Sequence, residues 1–481
     1  MRGSLIALVV FFAFGATACT TTYSEKVSGA RSAFFAGDLE TARVLLANQI
    51  ESVGPDDDTH DLLLLEDSIV QLASGNPAAA EERLRKVRDD FDALEKERLK
   101  QVMGEFTSYL TDDRFTVYAG EDYERLLIRV MLAFSNLLGD GGDAIAYSNQ
   151  ILEKQREILE QDSPDRSGRK YKSGYKRVGV GAYLYGVITE ASDATGASEA
   201  RISYKRVQEW EPQFKAIEED LERVEKGGYS RPGHGIVYVF GFVGRGPVKI
   251  EVFEHDLTMA SEIALQMMRF IPTFRDYGPT LDLSPLRVPQ LIAYPDNGIR
   301  GLRISVDGEE HGITQTVTDV TATALQQYAQ VRDWILGKAI LRRMVKKAIT
   351  TAAKGTARRV VRKGDHRHGD AAEFGIEVAG IIANTIWSAL ERADTRHWTL
   401  LPDKIQVLRL ELPVGEHEIS AQPSMTGDTF GRSRSTRIKV VSGNNTYVLA
   451  FVPTPYSGPG LLTSRPASSR TTDQATVSRN P

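Results

Sequence analysis

The sequence predicts an α+β chain on three observations. Apolar residues recur at helical spacing from about Tyr23 to Lys226, β-branched and aromatic runs take over near residue 231, and a basic helical stretch interrupts those runs before they resume. The expected architecture is an N-terminal irregular α-helical repeat domain over 23 to 230, then an antiparallel β domain over 231 to 453 with a helical hairpin inserted at about 318 to 392. With 481 residues the chain exceeds what one core usually serves, which agrees with more than one domain. A formal net charge of -5 disfavours nucleic acid as a partner.

Met1 and Arg2 precede an apolar run from Leu5 to Phe14 that has the length of an export signal and is too short to span a bilayer. Small residues then lead to Cys19 in Ala16-Thr17-Ala18-Cys19. This resembles the lipobox of bacterial lipoproteins. The resemblance implies that residues 1 to 18 are a signal peptide and that Cys19 is acylated and, with the linker over 19 to 22, becomes the mature N-terminus. Two or more acyl chains suffice for stable membrane attachment. Thr20 stands where Asp would retain a lipoprotein at the inner membrane, so the same resemblance implies an outer-membrane anchor facing the periplasm. Cys19 is the sole cysteine, as fits an exported chain without disulfides.

Within the helical region Gly37 leads to Ala42, Gly75 to Ala80 and Gly139 to Ala144, each alanine five residues after its glycine. A glycine ends one helix, a polar residue caps the next, and the alanine lets two helices approach closely. The pattern resembles the tetratricopeptide repeat, with Leu46 and Leu84 at the position of its large residue and Ser148 breaking it in the third unit. Ala200 and Tyr204 mark a fourth unit that lacks the glycine. Unequal spacing between the glycines makes the repeat irregular, and a non-repeating helical bundle is the plainer alternative.

From residue 231, "GIVYVFGFVGRGPVKIEVF" reads as two strands paired around a Gly-rich bend. A helix from Thr258 to Phe270 follows, then strands in "VPQLIAY", "GLRISVD" and "GITQTVT", with Asp307-Gly308 as a turn. Leu341, Met344, Val345, Ala348, Ile349 and Ala352 then form an apolar helical stripe. Between Trp334 and Gly364 there are ten Lys or Arg and no acid. Of these, Arg342, Arg343, Lys346, Lys347, Lys354, Arg358 and Arg359 are candidates for contact with an anionic surface, against the alternative of a solvated face. A second helix over 371 to 392 would complete the hairpin. Strands resume in "KIQVLRLEL", "HEISAQ", "STRIKVV" and "TYVLAFV". Residues 454 to 481, rich in Pro, Ser and Thr, are expected to be a disordered tail.

Ahead of the first of these strands lies Ala393-Asp394-Thr395-Arg396-His397-Trp398-Thr399-Leu400-Leu401-Pro402. It resembles the "ADTRxWxxLP" element of a family of bacterial lipoproteins in which tetratricopeptide-like helices precede a mixed domain. The similarity covers most of the mature chain, and His397 departs from the Ser that is usual there. Asp394 and Thr395 can satisfy backbone donors, Arg396 can pair with a carboxylate, Trp398 can plug the core, and Pro402 closes the element. A purely structural corner is one reading of it. The resemblance implies a place in cell-envelope or peptidoglycan assembly, since genes of that family often adjoin one for a lipoprotein activator of peptidoglycan synthases.

No catalytic residue, metal or cofactor is expected. Ser173-x-x-Lys176 and Ser442-x-Asn444 match two motifs of penicillin-binding enzymes, but the chain has no Lys-Thr-Gly. His366, His368, Asp365 and Asp370 form one metal-like cluster on a polar loop. The expected function is a non-enzymatic, lipid-anchored scaffold whose helical repeats offer a concave surface to a periplasmic or outer-membrane protein. The alternative is a lipid- or lipopolysaccharide-handling protein that uses the basic hairpin at the membrane.

Overall fold

One strand, β1 (His234–Val243), lies at the centre of the molecule and explains how its layers meet. In the computed structural model it is flanked by β11 (Asn445–Val452) and β7 (Lys404–Pro413), with β12 (Gly460–Thr463) and β6 (Gln315–Asp319) at the edges, in a sheet of order β12-β11-β1-β7-β6. The structure describes residues 22–102, 118–161, 172, 174–192, 196–268, 286–362, 393–427, 429–458 and 460–464.

The helical layer comprises α1 (Tyr23–Lys26), α2 (Ser28–Ala36), α3 (Leu39–Val53), α4 (His60–Ala73), α5 (Pro77–Val102), α6 (Asp122–Leu138), α7 (Ala144–Glu160), α8 (Gly179–Glu190), α9 (Gly196–Trp210) and α10 (Ala216–Lys226). Each of these helices packs on the next in chain order. Gly37 and Gly75 end α2 and α4 at φ of 85° and 82°, a left-handed conformation that suits glycine. Asp38 then caps α3 by accepting from the Thr41 N–H at 3.0 Å. In the third unit the left-handed residue is Gly141, and Gly139 stays at negative φ. Ala42, Ala80, Ala144 and Ala200 are all buried at helix contacts, as their spacing predicts. Ser148 is buried as well, its hydroxyl donating to the Ala144 carbonyl at 2.8 Å.

The β part holds the central sheet and a second sheet of order β10-β8-β4-β5, built from β4 (Ile299–Val306), β5 (Glu309–Ile313), β8 (Gly415–Met425) and β10 (Arg434–Val440), with β9 (Thr429–Phe430) paired to β8. The two sheets enclose an aliphatic core of Val237, Val239, Leu302, Ile304, Leu410 and Val448 among others. Asp307 and Gly308, both at positive φ, make the β4–β5 turn where the sequence places it.

Three sequence expectations change. β1 and β2 (Val248–Glu254) do not pair with each other. Both edges of β1 are occupied by β7 and β11, and β2 instead joins β3 (Leu286–Ile292) in a separate ribbon. The domain is not wholly antiparallel, because β1 and β11 run parallel from Ile236↔Asn445 to Val243↔Val452. The tail is ordered at β12 (Gly460–Thr463), which pairs with β11 and sets Leu461 and Leu462 against opposite faces of the sheet. The basic stretch lies on a helix, as its spacing predicts: α12 (Val320–Arg362), whose first half packs on α11 (Thr258–Met268) through Leu336, Ile340, Leu341 and Met344. The second hairpin helix, Cys19 and the end of the tail lie outside the described residues.

The concave side of the helical layer is already filled. α4, α6 and α8 are buried almost all round, and Phe134 of α6 lies edge-on to Phe240 and Phe242 of β1 at 4.9 and 5.0 Å between ring centroids. The inner surface expected to receive a partner therefore holds the chain's own central strand, and a single apolar core runs from α2 to β11.

Candidate functional site

Residues 393 to 402 lead into β7 and are wedged between the helical layer and the sheet. Trp398, Leu400 and Leu401 are buried in the shared core, so this corner cannot turn its backbone to water. Its N–H groups are met by carboxylates from two inner helices. Glu124 of α6 accepts from the Trp398 N–H at 2.7 Å, and Glu66 of α4 accepts from Thr399 and Leu400 at 2.7 and 3.0 Å. Both glutamates are fully buried. Glu124 also takes the Tyr118 and Tyr123 phenols and the Glu121 N–H, which closes the first turn of α6 as a capping box.

Burial pushes the Glu66 carboxyl up to about 7, against the downward pull of the Thr399 and Leu400 N–H groups. Burial also raises Glu124, with the Lys249 ammonium opposing. His397 moves the other way. It is fully buried, and burial holds its imidazole down at about 3, so the ring is neutral. Its contacts fit the Nδ1–H tautomer: Nδ1 donates to the Thr395 carbonyl at 2.9 Å, and Nε2 accepts from the Lys249 N–H at 3.3 Å. An imidazolium would set two donors against each other there.

Lys249 of β2 ties the corner to α6. Its ammonium bonds Glu121 at 2.5 Å and the Arg396 carbonyl at 3.0 Å. Burial alone would lower this lysine, but Glu121, Asp394 and Glu124 outweigh it and the pKa is raised. The Arg396 guanidinium is held by both oxygens of Asp394 at 2.9 and 2.8 Å, reaches Asp58 at 2.9 Å, and lies over the Tyr118 ring. Beneath Leu400 and Pro402, among Phe34, Phe35, Phe242 and Phe451, only about 10 Å³ is left, barely room for one water. The element can lock layers together, and that space admits no substrate.

Asp394, Thr395, Arg396, Trp398 and Pro402 come together at this corner, where Asp394 accepts from the Arg396 N–H at 3.1 Å and the Thr395 carbonyl, not its hydroxyl, makes the bond to His397. Trp398 does plug the core, although its indole N–H finds no acceptor among the described residues. Arg342, Arg343, Lys346, Lys347, Lys354, Arg358 and Arg359 fall on α12, a separate element from this corner. The His366 and His368 cluster lies outside the described residues. Lys176 of the Ser-x-x-Lys match is paired with Glu211 at 2.7 Å. The residues missed from sequence are Glu66, Glu124 and Lys249. A signal existed for the first, since Glu66 interrupts "LLLLEDSIVQL", and a charge within an otherwise apolar helix demands a partner.

No family model, curated protein or solved structure matches this chain.

Proposed function

We propose that this chain is an outer-membrane lipoprotein, anchored through Cys19 and facing the periplasm, that acts as a non-enzymatic interaction scaffold in the cell envelope. The N-terminal sequence supports the anchor, and the likeness of residues 393 to 402 to the lipoprotein element supports the setting. The scaffold role rests on the junction itself. Buried carboxylates of α4 and α6 are committed to the backbone of the corner, which fixes helices and sandwich as one body.

With the inner groove filled by β1, the surfaces left for a partner are the outer helices and α12. The latter has 43 residues and extends about 65 Å at roughly 1.5 Å per residue. Its basic half suits an acidic protein partner, with Arg342, Arg343, Lys346 and Lys347 at the start of the cationic run. The same run favours one second reading, a lipid- or lipopolysaccharide-handling protein that lays α12 on an anionic membrane.

The deciding experiment is crosslinking capture from intact envelopes with the tagged full chain, beside a variant carrying R342E, R343E, K346E and K347E. Capture of a defined protein by the parent and its loss in the variant is the expected result. Capture by both moves the partner surface to the outer helices. If neither captures a protein, and the variant alone fails to bind anionic liposomes, the scaffold reading falls and the lipid reading replaces it.

A further inference from the structure

A cavity of about 190 Å³ opens beside the junction, between the first turn of α6, the β2–β3 ribbon and the first half of α12. Its two walls differ in chemistry. On the α12 side Gln327, Tyr328, Val331, Trp334 and Lys338 follow three- and four-residue spacing, so one helix face supplies an aromatic and aliphatic surface that ends in an ammonium. The opposite wall is ionic, and its acids are already matched. Glu121 holds Lys249 at 2.5 Å, and Asp122 holds Lys172 at 2.8 Å and Arg125 at 3.5 Å. Arg125 also reaches Glu95 behind the wall.

Two groups in this cavity stay unmet. Lys338 is half-buried and has no ion pair among the described residues, which brings the lining to four cations against two acids. Gln327 is 3% exposed, and its Oε1 is buried without a hydrogen-bond donor. A buried acceptor is destabilising unless a donor reaches it, so the amide marks where a hydroxyl or N–H of a bound molecule belongs. An ammonium calls for an anion, the amide oxygen calls for a donor, and the aromatic face calls for an apolar surface. A hydrocarbon chain fails the first two demands and a bare inorganic anion fails the third.

We propose that the cavity binds a monosaccharide-sized sugar anion, a carboxylate- or phosphate-bearing ring. Its anionic group pairs with Lys338, a hydroxyl meets the Gln327 amide, and the C–H face of the ring lies on Tyr328. The site stands apart from the scaffold reading, because it uses the first half of α12, whereas the partner surface is assigned to the basic half from Arg342 onward.

The test is calorimetric titration of the full chain in detergent micelles with glucuronate, glucose 6-phosphate, glucose and inorganic phosphate. One sugar anion should bind at least tenfold more tightly than glucose and than inorganic phosphate, and the preferred one identifies the carboxylate or the phosphate as the anion. Lys338→Met should weaken it at least tenfold with Tm unchanged, since this lysine leaves no ion partner stranded. Gln327→Leu should weaken the sugar anion and leave any response to inorganic phosphate unaltered; if that variant does not fold, Lys338→Met decides. No binding of either sugar anion overturns the assignment. So does equal binding of glucose, equal binding of inorganic phosphate, or undiminished affinity in Lys338→Met.

Discussion

The two faces of the central sheet are built from opposite materials. Toward the helices β1 presents Ile236, Tyr238, Phe240 and Phe242, and toward the second sheet it presents Val237, Val239 and Val243. The aromatic face meets rings at defined angles: Phe134 against Phe240 and Phe242, and Tyr183 against Phe240. Ionised groups also lie behind it, as in the Glu190–Arg223 pair at 2.7 Å. The aliphatic face packs on Val, Ile, Leu and Ala side chains. Directional contacts fix one arrangement of layers, whereas aliphatic packing tolerates adjustment. The helix-to-sheet face therefore sets the geometry of the molecule, and the sandwich core supplies burial.

Truncation on each face tests this difference most strongly. Phe240→Ala should cost about 3–5 kcal/mol, because it empties a ring-lined site that helices cannot close over. Val239→Ala, next to it in the strand and facing the other way, should cost about 2 kcal/mol from two lost methyl groups and a small cavity. Chemical denaturation of both variants reads the difference. Equal losses would mean that the two faces share one mode of packing.

A smaller effect is expected at the corner. Glu66→Ala removes the acceptor for two buried N–H groups, Thr399 and Leu400, and should destabilise by roughly 2–4 kcal/mol. Asp38→Ala, which removes one acceptor at an exposed cap, should cost clearly less than Glu66→Ala. If the two losses match, the corner is no more than a loop end and its carboxylate contacts do not fix the layers.

Why the sequence shows one face of this picture and hides the other follows from range. Helices and strands are dictated by local spacing, and the Gly-to-Ala turns, the Asp307-Gly308 hairpin and the change of texture near residue 231 are all readable within a few residues. Strand partners are not local. "GFVGRGPV" looks like a hairpin bend because its flanking runs suit each other, but β7 and β11, about two hundred residues further on, suit β1 better. Glu66 and the N–H of Thr399 stand 333 residues apart, so the sequence around each shows only half of the contact. In the tail, the two leucines that form β12 are masked by a composition of Pro, Ser and Thr. At the corner, residue types do forecast roles, with Arg396 paired and Trp398 buried. What they leave open is that the backbone N–H groups, more than the side chains, make the bonds across the layers.

The corner also holds two buried ionisable groups whose pH dependences oppose each other, and the variants that separate them give the finest test. The folded Glu66 carboxyl keeps its proton up to about 7, against an ordinary value of 4.5. Between those values the folded chain binds more protons than the unfolded one, so the Glu66 contribution is complete below 4.5 and is lost as pH rises through about 7. His397 is held at about 3 against an ordinary value of 6.5, so here the unfolded chain binds more protons, and the contribution is complete above 6.5 and lost as pH falls toward 3. Each group gives a slope of up to about 1.4 kcal/mol per pH unit in its window. From pH 4.5 to 6.5 the two slopes cancel in the parent. Glu66→Gln removes the first, so the variant should gain stability relative to the parent as pH rises through that window. His397→Ser removes the second, so that variant should lose stability relative to the parent over the same range. Urea titrations of parent and variants at pH 4.5, 5.5 and 6.5 measure both slopes. Parallel curves for all three proteins would mean that the buried pair does not couple the corner to protons.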